Sequence, residues 1–488
     1  MFEVAELKSK IAKQEYDGEI AQLRNELLEM QERLESSGTS VVILIAGVDG
    51  SGKGDVLNKL NEWLDPRFMR THAFGMPSDE ESERPHHWRY WMTLPPKGRI
   101  GIYAVGWYGP PMANRIREKL DNAQLDAELV HINKLERELT DDGALIIKCW
   151  LHLSKKQQKH LLEKLEENPE TRWRVTETDK KHLKLYKKFI GIAERVLRET
   201  STGEAPWLII NGYDPHYRRL TIARHLIERV NARLTAAQDG EPRQTNPQPF
   251  VGTGANLLDS LDLDQKLEKP VYQEQLALHQ GRINQLTRMA RQKKRSTILV
   301  FEGWDAAGKG GVIRRITQAM DARLYRVIPI AAPTDEEKSH HYLWRFWRHL
   351  PRDGNVTIYD RSWYGRVLVE RVENFARPDE WMRAYSEIND FEEELTDHGI
   401  ILLKFWMHIS QDEQLRRFKL REKTSYKRYK ITDEDYRNRD RWDQYEAAVN
   451  EMITRTSTEF APWRLVEAND KNFARIRVLR SLCETYDM

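Results

Sequence analysis

The chain repeats itself at one constant interval, and this limits it to two copies of a single fold. Gly303, Asp305 and Lys309 lie 256 residues after Gly47, Asp49 and Lys53, and the same interval separates Trp107 from Trp363, Lys148 from Lys404 and Trp207 from Trp463. No insertion or deletion falls between these points. A period of this length is a duplicated domain, because solenoid repeats run at roughly 20–50 residues and cannot bury a core alone. The stretch 236–260, AAQDGEPRQTNPQPFVGTGANLLDS, is rich in Pro, Gly, Asn and Gln, which is linker chemistry. It leaves two expected units, 1–235 and 261–488.

Each unit opens with a charged stretch carrying apolar residues at helical spacing: Leu7, Ile11, Tyr16, Ile20, Leu23 and Leu27 in the first, Tyr272, Leu276, Ile283 and Leu286 in the second. These predict amphipathic helices over a sheet face. In the second unit the β-rich runs STILVFE, YRVIPIA, NVTIYD, IILLKFWMHI and APWRLVE alternate with longer helical patterns, which predicts a parallel α/β sheet flanked by helices.

The longest strongly apolar run, Val41 to Ala46, falls far short of the roughly 18 residues of a membrane span. Charged residues make up 32% of the chain and mean hydropathy is −0.73. The N-terminal MFEVAELKSK lacks the apolar core of a signal peptide, so a cytoplasmic protein without a membrane partner is expected. Cys149 and Cys483 do not correspond under the repeat, which argues against a disulfide framework or a cysteine metal cluster. A net charge of only +2 means that anion binding must come from local clustering, and no nucleic-acid partner is expected.

The first strand of the second unit runs into GWDAAGKGG, Gly303 to Gly311, and the following VIRRITQAM reads as a helix. Strand, glycine loop and helix in this order form the context that a P-loop (Walker A) match requires. Gly303, Gly308 and Gly310 let backbone N–H groups approach phosphate oxygens, the helix N-terminus adds positive potential, and Lys309 neutralises phosphate charge. Nucleoside triphosphatases carry a Ser or Thr after the lysine to ligate magnesium; here Gly310 and Gly54 stand there. Another oxygen must hold the metal. Asp305 in the loop and Asp360 at the end of VTIYD are the candidates, although Asp305 also suits a simple turn cap.

GWDAAGKGG, LWRFWRHLPRDG and IYDRSWYGRVLVERV together resemble the polyphosphate kinase 2 family, over nearly the whole of both units. The duplicated arrangement is similar to its two-domain branch. The resemblance implies tandem P-loop kinase-like α/β domains, each with a helical lid, and Mg²⁺-dependent transfer of the terminal phosphoryl group of inorganic polyphosphate to AMP, giving ADP. Carried over by residue, the family's loop lysine and aspartate fall on Lys309 and Asp305, and its second-motif Asp and Arg on Asp360 and Arg361. The basic lid over the polyphosphate falls on RRFKLREKTSYKRYK, where Arg416, Arg421, Lys427 and Lys430 are the expected phosphate contacts, against the alternative of a solvated helix face.

The first unit lacks these features. Asp360 and Arg361 are matched by Ala104 and Val105, and the lid by HLLEKLEENPETRWR with Glu163, Glu166, Glu167 and Glu170. The first unit is therefore expected to be inactive, a regulatory or architectural domain that still binds an anion through Gly47, Asp49, Gly52 and Lys53, with the two units packed as a pseudo-dimer. In the second, Asp305 and Asp360 are assigned to magnesium, and Lys309 and Arg361 to charge on the transferred group. No general base is required, because an acceptor phosphate is already ionised.

Arg366, Glu370 and Arg371 also fit the family pattern, but equally fit helix ion pairs. Adjacent His340 and His341 point apart on a helix and are not expected to form a metal site. Trp344, Phe346, Trp347, Trp363 and Tyr364 are expected to pack, since Trp88, Trp91, Trp107 and Tyr108 occur in the disarmed unit too. An ATP-dependent nucleoside monophosphate kinase and a non-catalytic polyphosphate-binding protein are the rival readings. The preferred acceptor and any homo-oligomer stay open at this level.

Overall fold

The computed structural model describes residues 1–7, 9–238, 256–424 and 433–486. The chain forms two compact units: Met1–Pro77, Arg89–Arg243 and Thr334–His341 make up the first, and Ser78–Trp88, Gln244–Pro333 and Tyr342–Met488 the second. Neither unit is contiguous in sequence. Most of the expected linker, 239–255, lies outside the described residues; its ends continue the helix Pro215–Gln238 and form the short turn Leu257–Ser260.

The first unit holds strands β1 (Val41–Gly47), β2 (Met69–Ala73), β3 (Ile100–Ala104), β4 (Leu145–His152) and β5 (Trp207–Asn211), all parallel, in the order β2-β3-β1-β4-β5. Every residue of β1 and β4 is buried. The unbroken apolar run of β1 suits a central parallel strand covered on both faces. The helix Lys13–Glu35 turns Tyr16, Leu23, Leu27, Met30 and Leu34 inward at helical spacing and joins Ile43, Ile45 and Ile147 in one core. It starts later than the apolar pattern suggests, and Leu7 is left exposed.

The second unit repeats this arrangement with β6 (Thr297–Gly303), β7 (Tyr325–Pro329), β8 (Val356–Asp360), β9 (Ile401–His408) and β10 (Trp463–Glu467), ordered β7-β8-β6-β9-β10 and again parallel. The helix Lys269–Gln292 buries Tyr272, Ile283 and Leu286 and packs on the helix Lys471–Tyr486. Both expected parallel α/β sheets are therefore present.

The aromatic cluster serves packing. Trp363 and Tyr364 are fully buried, and both donate to Glu392 Oε1, at 3.0 and 2.7 Å. Trp107 and Tyr108 make the same bonds to Glu136 in the first unit, at 3.0 and 2.6 Å. What differs between the units lies at the carboxyl ends of the central strands, where open α/β sheets present their ligand crevice.

Candidate functional site

The glycine loop of the second unit leaves β6 through Gly303, whose φ of 144° is combined with a close approach to β9. A Cβ there would sit 2.4 Å from the Met407 carbonyl oxygen, so a side chain is excluded. The loop closes at Gly308, left-handed at φ 112°, which starts the helix Lys309–Thr317. The Gly311 and Val312 N–H groups donate to the Gly308 carbonyl at 2.9 and 3.2 Å, which leaves the first N–H groups of the helix, at Lys309 and Gly310, as the ones an anion at its N-terminus would use. Lys309 lies folded onto the loop, donating to the carbonyls of Gly303 at 2.6 Å and Trp304 at 3.3 Å. Burial lowers its pKa, with the Asp305 charge opposing. Gly310 lies in the first turn with open space around it and itself offers no hydroxyl.

Asp305 is held from two directions. Its Oδ1 accepts from Arg361 Nη2 at 2.9 Å and its Oδ2 from Asn438 Nδ2 at 3.0 Å, while Gln414 Nε2 binds its carbonyl at 3.2 Å. Burial pushes the carboxyl up, but the charges of Lys309 and Arg361 and these hydrogen bonds outweigh it and keep the pKa below the usual value. Asp360 ends β8 and pairs with Phe301 of β6, which brings it to the same strand ends. Arg361 follows at φ 65°, its N–H donating to the Phe301 carbonyl at 3.0 Å. In the first unit Val105 keeps both features, with φ 66° and an N–H bond to the Ile45 carbonyl at 3.0 Å. The backbone turn survives while its chemistry has gone.

The expected lid contacts separate. Arg421 lines a cavity of about 180 Å³ on the β9 side of the loop. Arg416 is largely exposed and binds Glu413 through two hydrogen bonds, of 2.6 and 2.8 Å. Lys427 and Lys430 lie outside the described residues. Arg371 donates to Tyr385 and Glu451 at 2.8 Å, and Arg366 pairs with Glu370 at 3.1 Å, so both make structural ion pairs. His340 and His341 follow the short helix Asp335–Lys338 instead of lying on it, and no group of three His, Cys, Asp or Glu suited to a metal occurs among the described residues.

Sequence reasoning missed several groups around the loop. Arg417, almost fully buried, donates to the carbonyls of Ala306 and Ala307 at 2.9 Å and to those of Ala468 and Asn469 at 2.7 and 2.9 Å, pinning the loop to the end of β10. Lys471 and Arg475 line the same cavity as Arg421 and Arg417, giving it four basic side chains. Glu302 is buried beside the loop, accepts from Ser362 Oγ at 2.8 Å, and is raised by burial against the Lys309 charge. The repeat held the signal: Glu302, Ser362, Gly311 and Arg417 are matched by Ala46, Gly106, Asp55 and Leu161. In the first unit, Asp55 binds Arg218 at 2.8 Å and also Arg219, and Leu161, Leu165 and Pro215 stand where Arg417, Arg421 and Lys471 line the cavity of the second.

The two carboxylates at the strand ends, Asp305 and Asp360, are hard oxygen donors of the kind Mg²⁺ takes in ones and twos, with waters and substrate phosphates completing its shell. The glycine loop suits a phosphate-sized anion, and a basic cavity opens beside Ala306, Ala307 and Gly308 of that loop. Fold and site together define a phosphate-handling α/β protein of the kinase type.

The polyphosphate kinase 2 family model matches residues 10–238 and 266–488, once in each unit. The chain belongs to the polyphosphate kinase 2 family. It is 52% identical to the polyphosphate:AMP phosphotransferase of Pseudomonas aeruginosa, over 99% of this chain and 98% of that one. It is 37% identical to the polyphosphate:AMP phosphotransferase of Acinetobacter johnsonii, over 93% and 92%. The crystal structure of a polyphosphate kinase 2 from Pseudomonas aeruginosa superposes with a TM-score of 0.90 at 49% identity, covering 100% of this chain and 98% of that one. No helix among the described residues is long and apolar enough to cross a membrane.

Proposed function

We propose that the second unit transfers the terminal phosphoryl group of inorganic polyphosphate to AMP, giving ADP, and that the first unit takes no part in the chemistry. One observation carries this reading: the Arg361–Asp305 pair and Lys309 converge on a single glycine loop that opens into a basic cavity, while the first unit has Val105 in place of Arg361 and Leu161, Leu165 and Pro215 in place of Arg417, Arg421 and Lys471.

In this reading the donor chain lies along Arg421, Lys471 and Arg475, with its terminal phosphate in the loop beside Lys309 and the loop itself held by Arg417. The acceptor is the ionised phosphate of AMP, so one P–O bond of the donor anhydride breaks, one forms to AMP, and no side chain takes a proton. Asp305 and Asp360 are the residues that would hold Mg²⁺, which when bound neutralises charge between donor and acceptor phosphates. Arg361, oriented by Asp305, supplies positive charge where the transferred group passes. The absence of a hydroxyl at Gly310 disfavours a nucleoside-triphosphate donor. Activity in the cytoplasm, without a nucleic-acid partner, belongs to the same proposal; the buried free thiols Cys149 and Cys483 suit a reducing compartment.

The test is ADP formation from AMP with long-chain polyphosphate and Mg²⁺, in wild type and Asp360→Ala. Polyphosphate-dependent ADP formation that Asp360→Ala abolishes supports the proposal. Turnover with ATP but not with polyphosphate would sink it in favour of a nucleotide kinase, and no turnover with either donor would leave a binding protein.

A further inference from the structure

The first unit has a cavity that its partner domain has filled in. Around Asp305, the stacked rings of Trp304 and Trp442, 3.7 Å apart, leave about 80 Å³. The matching residues in the first unit are Val48 and Tyr186, Val105 replaces Arg361, and the corresponding space at the glycine loop is about 260 Å³. The change from Trp to Val removes the indole that occupied this ground. The space beside the glycine loop is therefore larger in the first unit.

Its two ends differ in chemistry. At one end is an intact glycine loop, with Gly47, Gly50 and Gly52 all at positive φ and Lys53 directed back over it at 2.8 Å from the Gly47 carbonyl. The helix Lys53–Trp63 begins there with its free N–H groups. At the other end the walls are Met112, Ile116, Trp150 and Phe189, an apolar and aromatic surface suited to a planar ring.

The two units also differ beside the loop. Gln158 lines the pocket at 2% exposure; its Nε2 donates to the Asp49 carbonyl at 3.1 Å, but its Oε1 has no hydrogen-bond partner. The matching Gln414 Oε1 is satisfied by Arg439 at 3.4 Å, a residue matched by Leu183 in the first unit.

We propose that the first unit is a non-catalytic binding site for a nucleoside monophosphate, its phosphate on the glycine loop and its base between the apolar walls. A long polyanion has less to hold it there, because Leu161, Leu165 and Pro215 stand where Arg417, Arg421 and Lys471 line the cavity of the second unit. Binding needs no magnesium, since Ala104 removes the strand-end carboxylate. The proposal does not depend on what the second unit catalyses.

Equilibrium dialysis of AMP against the full chain, without Mg²⁺ or polyphosphate, tests this. The expected result is an AMP equivalent that Lys309→Met retains and that Lys53→Met weakens at least tenfold. Val48→Trp, which restores the indole of the second unit, should remove the same equivalent, and Met112→Trp supplies a second cavity-filling variant should that one fail to fold. Bound AMP unchanged by Lys53→Met and by the cavity-filling variant would overturn the proposal. So would loss of all AMP binding in Lys309→Met, or displacement by inorganic phosphate at equal concentration, which would leave no role for the base. If the second unit's proposed activity were wrong but this inference right, a single equivalent would remain, sensitive to Lys53→Met alone.

Discussion

Lys404 Nζ lies 2.6 Å from Glu392 Oε2 at a place where neither side chain has any solvent exposure. The ammonium also meets Tyr364 Oη at 2.8 Å and the Thr456 carbonyl at 2.7 Å, so its three protons are all used. Burial lowers the lysine and raises the glutamate, each opposed by the partner's charge. The first unit repeats the pair as Lys148 and Glu136 at 2.7 Å, although its loop chemistry has diverged. Retention where catalytic residues are lost marks the pair as architecture, tying β9 to the helix Pro378–Asp397. Removing one partner leaves a buried unpaired charge, so Lys404→Met is expected to cost about 3–5 kcal/mol, while Lys404→Met with Glu392→Leu recovers most of it. Urea unfolding of both variants decides.

Arg361 and Lys309 are both cations at the loop, but only Arg361 has a planar fork fixed by Asp305. Arg361→Lys keeps the charge and loses the geometry. It should lower kcat by roughly 10²-fold with little change in the KM for AMP, as when a preorganised donor to a transition state is removed. A purely structural arginine would instead show its effect in the melting temperature.

Val105 sits at φ 66° and ψ −34°, a conformation that a β-branched residue adopts only under strain. Such strain costs of the order of 1–3 kcal/mol, and glycine gives back part of it as chain entropy. Val105→Gly should therefore stabilise the first unit by about 1 kcal/mol. Calorimetry of the two unfolding transitions would locate the gain.

The basic cavity opens beside Gly311, where a Cβ would lie 3.6 Å from Arg475 Nη2. Gly311→Asp installs the carboxylate of the first unit's Asp55 and should pair with Arg475. The expected result is a KM for polyphosphate raised about tenfold, since one donor contact is cancelled, with the KM for AMP unchanged. Equal changes in both would place the donor elsewhere.

Lys471 shares that cavity, and burial brings its pKa down to about 8, reinforced by Arg417. The ammonium is charged below that value and neutral above it. Affinity for polyphosphate should accordingly weaken as pH rises through 8, and Lys471→Arg, which keeps its charge, should flatten the profile. A wild-type KM constant from pH 7 to 9 would exclude Lys471 from the donor path.

The loop was legible because its requirements are local. Gly303, Asp305, Gly308 and Lys309 lie within seven residues, and the strand before and helix after them are readable from periodicity. Asp360 and Arg361 were legible through the defect in the repeat. Arg417 was not singled out, because a basic residue within a charged lid gives no sign that it turns inward to hold four carbonyls. Asn438, Lys471 and Arg475 likewise sit in ordinary polar surroundings and reach the site only by chain folding.

By itself the sequence determined that there are two copies of one α/β unit, where each glycine loop lies and which copy lost its acid and arginine, because these are matters of order and interval along one chain. Only the tertiary structure decided that Arg361 braces Asp305, that Arg417, Arg421, Lys471 and Arg475 enclose one cavity, and that the disarmed copy has the larger pocket. Those depend on side chains distant in sequence competing for the same volume. A Trp-to-Val change is read as a pocket only when the space vacated by the indole is seen to stay empty.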